Sequence, residues 1–187
     1  MYDVILPSQI GSDRTPRKLQ EYDVLILDDI ASMGDNLITI LDSYVQNGGN
    51  LLVTGATSTG DENGKPINRI RLKSLGVEPE FEVFPQAQST FLKVYDSDKK
   101  ALGQMEFKDF TLMMMYSRFL KCKVKNNAQG YMRLLPGTRF GPAEKTYYAG
   151  SEITNFPGAV GNTFGKGKTV FIPWMIGSEY NLKGNYA

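Results

Sequence analysis

The sequence contains no histidine and one cysteine, Cys122, among its 187 residues. Without histidine the chain cannot form a Ser-His-Asp or Cys-His catalytic group, and it lacks the usual side chain for proton transfer near neutral pH. A single cysteine cannot form an internal disulfide, and Cys and His are too few for a zinc site built from them. These absences predict a chain with no catalytic residue, no metal site and no cofactor.

An excess of charge and a long apolar run are also missing. The chain has 21 basic and 20 acidic residues, so composition gives no reason to expect a nucleic acid or a membrane as partner. No apolar run approaches the ~20 residues of a membrane-spanning helix, and no signal-peptide pattern opens the chain. The composition is therefore typical of a soluble globular domain, and it leaves the cellular compartment open.

Residues 22–57 have the pattern of a strand, a helix and a second strand. Residues 24–27 and 51–54 are short apolar runs, which is typical of strands buried on both faces. Between them, apolar residues recur three and four apart and form one helical stripe: Leu37, Ile40, Leu41, Tyr44 and Val45. Ser32 and Asp35 resemble a capping box, and Gly48-Gly49 is suited to end the helix. This β-α-β unit predicts an α/β fold with a parallel sheet and a right-handed crossover.

The flanking segments complete a single domain over residues 1–187. Residues 2–6 are predicted to form a strand, residues 67–75 a short helix, and residues 81–148 a β-rich antiparallel insertion. Strands are then predicted within 155–164 and 169–173, around a turn at 165–168. We expect residues 24–27, 51–54 and 169–172 to lie parallel in one sheet, because their apolar runs are continuous.

The turn at residues 55–60 follows the second strand of the unit. Ligands and nucleophiles of α/β folds lie at such carboxyl ends, so Gly55, Thr57 and Ser58 are candidate ligand-binding residues. With no histidine to act as a base, a tight structural turn is favoured over a catalytic hydroxyl. Residues 165–169 resemble the end of a phosphate-binding loop but lack the required preceding glycine and following helix, so a hairpin is favoured.

Aromatic and methionine residues are more easily assigned to packing than to chemistry. Trp174 lies in a C-terminal segment rich in tyrosine, where core or interface packing is favoured over stacking on a saccharide. Residues 113–115 are three methionines in a row, which indicates a buried or interface strand rather than a metal site. One face of that strand can cover the domain's own core, while the other needs a partner.

The C-terminal segment carries a family resemblance. Residues 140–145, 154–158 and 162–174, followed by Ile176-Gly177, resemble the end of the β-galactosidase trimerisation-type domain found in family 42 and related glycoside hydrolases. Residues 22–27 and 48–55 resemble the middle of the same domain. The similarity extends over most of the chain and is weakest over residues 81–130.

This resemblance implies a flavodoxin-like, class I glutamine amidotransferase-like sandwich, with a parallel sheet and an antiparallel insertion, lacking its first strand and helix. In amidotransferases a cysteine stands near the position of Thr57, so the resemblance implies the fold without that chemistry. It further implies a non-catalytic accessory domain that packs subunits of a homo-oligomer and shapes the active-site rim, with a catalytic barrel of the parent glycosidase as partner. A module binding a saccharide or another small ligand through Gly55, Thr57, Ser58 and Trp174 is the alternative.

Overall fold

The chain forms a mixed α/β fold in which one five-stranded sheet adjoins a smaller β region. The computed structural model describes residues 2–10, 18–85, 90–101, 112–137 and 152–183. The strands are β1 Val24–Asp28, β2 Asn50–Thr54, β3 Val77–Phe84, β4 Thr90–Lys93, β5 Leu112–Met115, β6 Phe119–Val124, β7 Gln129–Tyr131, β8 Arg133–Leu135, β9 Ala159–Phe164 and β10 Gly167–Ile172. The helices are α1 Asp35–Gln46, α2 Asp96–Ala101 and α3 Ile176–Lys183, with single 3-10 turns at Pro7–Gln9, Leu19–Glu21 and Lys73–Leu75.

The main sheet has the strand order β1-β2-β10-β9-β7. Strands β1 and β10 both run parallel to β2, with Ile26 and Val170 on either side of Leu52, which confirms the predicted parallel core. Strands β9 and β10 form an antiparallel hairpin, and Gly165 in its turn has a φ of 61°. The hairpin predicted at residues 165–168 is therefore confirmed.

Helix α1 covers one face of this sheet. Leu25, Leu51 and Phe171 lie in one buried cluster with the helix residues Leu41 and Val45. The predicted start of the helix is wrong in detail. Gly34 occupies the N-cap without a side-chain bond, because the backbone of Ser32 pairs with Gly60 instead. The predicted end is confirmed, since Gly48 follows the C-cap with a φ of 117°.

The opposite face of the main sheet is only partly covered. At its carboxyl-end half, Ile172 and Trp174 pack into a second apolar cluster formed with the β region. From its amino end to its middle, this half of the face has Val24, Ile26 and Val170, which are 50%, 65% and 41% exposed. The expectation that these strands are buried on both faces is therefore wrong for this half of the sheet among the described residues.

Two further predicted elements are corrected. Residues 2–6 are irregular rather than a strand, and lead into the turn at Pro7–Gln9. In residues 67–75 only Lys73–Leu75 is helical, because the backbone upstream pairs with β3: the Ile70 N–H donates to the Pro79 carbonyl at 2.8 Å. The strand predicted over 155–164 begins at Ala159. Part of the predicted β-rich insertion, residues 104–107, lies outside the described residues.

The β region consists of a two-stranded sheet, β3-β6, and a three-stranded sheet, β5-β4-β8. Met115 and Leu134 are buried in the second apolar cluster together with Trp174. Strand β7 does not join these small sheets but pairs with β9 at the edge of the main sheet. The flavodoxin-like sandwich and the 81–148 boundaries of the insertion stay predictions. Of the helices that the structure describes, none has the length and apolar character needed to cross a membrane.

Candidate functional site

The candidate site lies where the parallel strands β1, β2 and β10 end. Three chain segments meet there: Asp28–Asp29 after β1, the turn of residues 55–60 after β2, and residues 173–175 after β10. Such a meeting of strand ends is where α/β folds place ligands. Gly55, Thr57 and Ser58 all lie in the turn that follows β2, at this edge of the sheet.

Asp29 and Gly55 are held against each other by unusual backbone conformations. Asp29 has a φ of 51° and Gly55 a φ of 60°, both in the left-handed region. A Cβ at position 55 would collide with the Asp29 carboxylate. That carboxylate accepts the Ala56 N–H at 2.6 Å, while the Gly55 N–H lies 2.9 Å from the Ile172 carbonyl and 3.1 Å from that of Trp174. Gly55 is thus required for the three strand ends to approach each other.

The two candidate hydroxyl groups, of Thr57 and Ser58, are buried and form hydrogen bonds within the protein. Thr57 and Ser58 are both 0% exposed. Thr57 Oγ1 donates to the Thr54 carbonyl at 2.7 Å and accepts the Ile30 N–H at 3.0 Å. Ser58, with a φ of 64°, accepts the N–H groups of Arg71 and Leu72 at 3.2 and 3.3 Å. These bonds tie the turn to its neighbours, so a ligand would meet the turn's backbone before it met either hydroxyl.

Trp174 is likewise a buried residue. It is 3% exposed, and its indole N–H donates to the Gly158 carbonyl at 2.9 Å. Trp174 therefore lies close to the strand ends but faces the second apolar cluster. Its predicted ligand-binding role, like those of Gly55, Thr57 and Ser58, stays a prediction.

The structure adds residues that the sequence analysis did not select. Arg118 Nη2 lies 3.6 Å from Asp29 Oδ1, and its side chain is 46% exposed. Next to it, Ser117 Oγ accepts the Met175 N–H at 3.3 Å. Glu179 of α3 is buried and accepts the N–H groups of Tyr116 and Ser117, which fixes the loop that carries Arg118. No sequence motif links residues 117–118 to position 29, so their proximity could be recognised only from the folded structure.

The exposed groups at this site include a carboxylate and a guanidinium. Asp28 is exposed and accepts the Thr54 hydroxyl, and the exposed Arg118 lies near Asp29. A carboxylate and a guanidinium can bind a hydroxyl-bearing ligand, since one accepts and the other donates hydrogen bonds. Within the described ranges, no group of three His, Cys, Asp or Glu side chains could hold a metal ion.

The single cysteine is unsuited to act as a nucleophile. Cys122 is 1% exposed, and burial raises the pKa of its thiol to about 12. Because the thiolate is the reactive form, the thiol stays unreactive at neutral pH. Its position in β6, inside the cluster covered by α1, explains the shift as desolvation of the charged form.

Solved structures with this fold include family 42 β-galactosidases. Gan42B, a GH42 β-galactosidase from G. stearothermophilus, superposes with a TM-score of 0.60 at 18% identity, over 84% of this chain and 20% of that chain. A β-galactosidase from Bacillus circulans sp. alkalophilus gives a TM-score of 0.61 at 13% identity, over 85% of this chain and 21% of that one. The fold is that of a domain of these enzymes.

A second kind of neighbour is a smaller protein. The cytoplasmic protein STM3548 from Salmonella typhimurium gives a TM-score of 0.52 at 17% identity, over 82% of this chain and 61% of that chain. No family model matches this chain, and no curated protein matches it either. The chain spans about a fifth of the length of the β-galactosidases it resembles. The predicted resemblance to a family 42 domain is therefore confirmed as a likeness of fold.

Proposed function

We propose that this chain is a non-catalytic accessory domain of a β-galactosidase-like glycoside hydrolase. The likeness of most of this chain to about a fifth of GH42 β-galactosidase chains carries the proposal. In this function the catalytic barrel lies elsewhere in the parent protein and is the domain's partner. The finer assignment of the fold, a flavodoxin-like relative of class I glutamine amidotransferases, belongs to the same proposal.

The chemistry of the described residues supports a non-catalytic role. The chain has no histidine, and Thr57, Ser58 and Cys122 are all buried. We expect the isolated chain to hydrolyse neither glutamine nor an aryl galactoside, measured as ammonia or nitrophenol release. The contrary result is turnover that survives repurification and disappears when Thr57, Ser58 or Cys122 is replaced.

A subunit-packing role is supported by the outer face of the sheet β5-β4-β8. Met113 and Met115 turn inward to the second cluster, whereas Leu112 and Met114 are 42% and 40% exposed. Met114 lies beside Phe91 across the sheet. Apolar side chains that share one exposed face are typical of a surface that meets another protein.

Light scattering on the purified chain tests this surface. We expect a concentration-dependent oligomer that the double change Leu112→Glu and Met114→Glu shifts to monomer, because buried carboxylates without partners are costly. Val83→Glu is the matched control, since Val83 is 48% exposed on a different sheet. A monomer at all concentrations, or an equal effect of the control, would remove the support for this packing surface.

A ligand-binding module is the second candidate, and Arg118 beside Asp29 favours it. Its exposed guanidinium and the exposed Asp28 carboxylate offer complementary hydrogen-bonding groups to a saccharide hydroxyl pair. Titration calorimetry with galactose is the test, with Arg118→Ala expected to abolish the heat of binding. Absence of saturable binding to the unaltered chain at millimolar galactose excludes this candidate for that sugar.

A further inference from the structure

The Asp29 carboxylate lies in a cradle that other segments of the chain form. Its Oδ1 accepts the Ala56 N–H at 2.6 Å, and Arg118 Nη2 lies 3.6 Å from the same oxygen. Gly55 leaves the space that this carboxylate fills, because a Cβ at position 55 would collide with Oδ1. A backbone N–H and a guanidinium are the donors to which carboxylates bind most strongly, so the cradle suits a small carboxylate.

The backbone of Asp29 adopts an unfavourable conformation that brings its side chain to this cradle. Its φ of 51° lies in the left-handed region, which side chains other than glycine rarely adopt. The Asp29 N–H donates to Thr54 Oγ1 at 3.1 Å, which helps to hold the conformation. Conformations of this kind persist where the surrounding structure supports them, and they are concentrated at functional sites.

The cradle is accessible from solvent. The side chain of Asp29 is 23% exposed and that of Arg118 is 46% exposed. The Arg118 guanidinium is always charged and has several donors, so it can also bind an anion from solution. Asp29 is attached to the chain, however, and its effective concentration at the cradle is therefore far above that of a dissolved competitor.

We propose that Gly55, Ala56 and Arg118 form a binding site for a small carboxylate, which Asp29 occupies as an internal ligand and so closes to external anions. The proposal does not depend on the glycosidase assignment, because it stands on the contacts of Asp29. It also restricts the saccharide candidate, since an uncharged sugar can bind beside Asp29 whereas a ligand carboxylate must displace it. Acetate and galactose binding can therefore succeed or fail separately.

Chemical rescue by acetate tests the proposal. Asp29→Gly removes the same heavy atoms that acetate contains, and glycine suits the left-handed backbone. At neutral pH we expect acetate to raise the urea midpoint of this variant saturably, relative to chloride at equal ionic strength, because a ligand of the folded state stabilises it. Acetamide has the same shape without the charge and should bind about fivefold more weakly or less. No effect of acetate, or an equal effect of acetamide, overturns the proposal.

Two further variants locate the bound acetate. Adding Arg118→Ala to Asp29→Gly should weaken acetate binding about two- to fivefold, the range of exposed ion pairs. Asp61→Gly is the matched control, since the Asp61 carboxylate accepts the N–H groups of Asn63 and Lys65 at 2.9 and 2.8 Å within its own turn. Acetate should leave the midpoint of this control unchanged. Equal rescue of Asp61→Gly, or rescue that Arg118→Ala does not weaken, overturns the assigned location.

The Ala56 amide resonance provides a readout that is independent of stability. Acetate should shift it in Asp29→Gly but not in the unaltered chain, where Asp29 holds the site. A shift in the unaltered chain at the same acetate concentrations overturns the role of Asp29 as an internal ligand. If Asp29→Gly does not fold, Asp29→Asn decides: its amide oxygen can still accept the Ala56 N–H, but loss of the charge should move this resonance upfield. An Ala56 resonance unchanged by Asp29→Asn overturns the proposal.

Discussion

Single residues determine whether the ends of the parallel strands can meet. Gly55 packs against Asp29, whose carboxylate in turn binds the Ala56 N–H. The sequence predicts a tight glycine turn here, because glycine after a buried strand is typical of such turns. It does not predict Asp29 or Arg118 as neighbours of that turn, since both come from other segments and neither belongs to a recognisable motif.

Gly55→Ala should lower the free energy of unfolding by about 3 kcal/mol, combining left-handed strain with a collision. Gly64→Ala is the control for strain alone. Gly64 has a φ of 82°, but a Cβ there would meet only Ser32 Oγ, at 3.6 Å. We expect the control to cost about 1 kcal/mol in urea denaturation. Equal costs for the two variants would show that contact with Asp29 does not constrain position 55.

Cys122 should make stability depend on alkaline pH. Its folded pKa is raised from 9.0 to about 12 by burial, so the unfolded thiol ionises first and the stabilisation present below pH 9 is lost as pH rises towards 12. Between those values the unaltered chain should lose up to about 1.4 kcal/mol per pH unit more than Cys122→Ala. Urea denaturation at pH 8 to 11 measures the difference, and parallel slopes for the two proteins contradict the assignment.

At the scale of elements, the spacing of apolar residues predicts secondary structure correctly for the helix and strands that form the core of the main sheet. The apolar stripe of α1 and the runs of β1, β2 and β10 were predicted because the core imposes period and length on them. The sequence predicts a helix over residues 67–75, but only Lys73–Leu75 is helical, because the Ile70 N–H upstream donates to the Pro79 carbonyl of β3. A hydrogen-bonding partner that is distant in sequence leaves no pattern in the segment itself, so the structure of such a segment cannot be predicted from its own residues.

Helix α1 depends on Leu41, which is 0% exposed within the first cluster. Leu41→Ala should lower the free energy of unfolding by about 3 kcal/mol, the cost of lost burial plus a cavity. Thr39→Ala is the matched control on the same helix, because Thr39 is exposed and its hydroxyl donates to the Asp35 carbonyl of the same helix. A loss below about 1 kcal/mol for Leu41→Ala would mean that the helix is not anchored through this residue.

At the scale of the whole molecule, the two apolar clusters share strand β10. Phe171 lies in the first cluster and Ile172 packs against the second, so successive side chains of one strand belong to different cores. This sharing indicates one cooperative unit rather than two independently stable parts. The sequence predicted a β-rich insertion over residues 81–148 but could not show that the core of this region continues into the main sheet.

Trp174 is the single tryptophan of the chain and reports on the second cluster. We expect Leu41→Ala, a change in the first cluster, to shift the fluorescence midpoint and the far-ultraviolet circular dichroism midpoint in urea by the same amount. If the dichroism midpoint moves while the Trp174 midpoint stays in place, the two clusters unfold separately.

The chain crosses from the main sheet to the three-stranded sheet with no linker. Strand β7 ends at Tyr131 and β8 begins at Arg133, and the residue between them, Met132, is 6% exposed with a φ of 55°. Its N–H donates to the buried Asp98 carboxylate at 2.9 Å, which holds the crossing point from a third segment. Such a crossing leaves no flexible linker between the two sheets, so we expect the three-stranded sheet and the main sheet to move as one rigid body. In any larger assembly, a displacement of the three-stranded sheet would therefore also displace the main sheet.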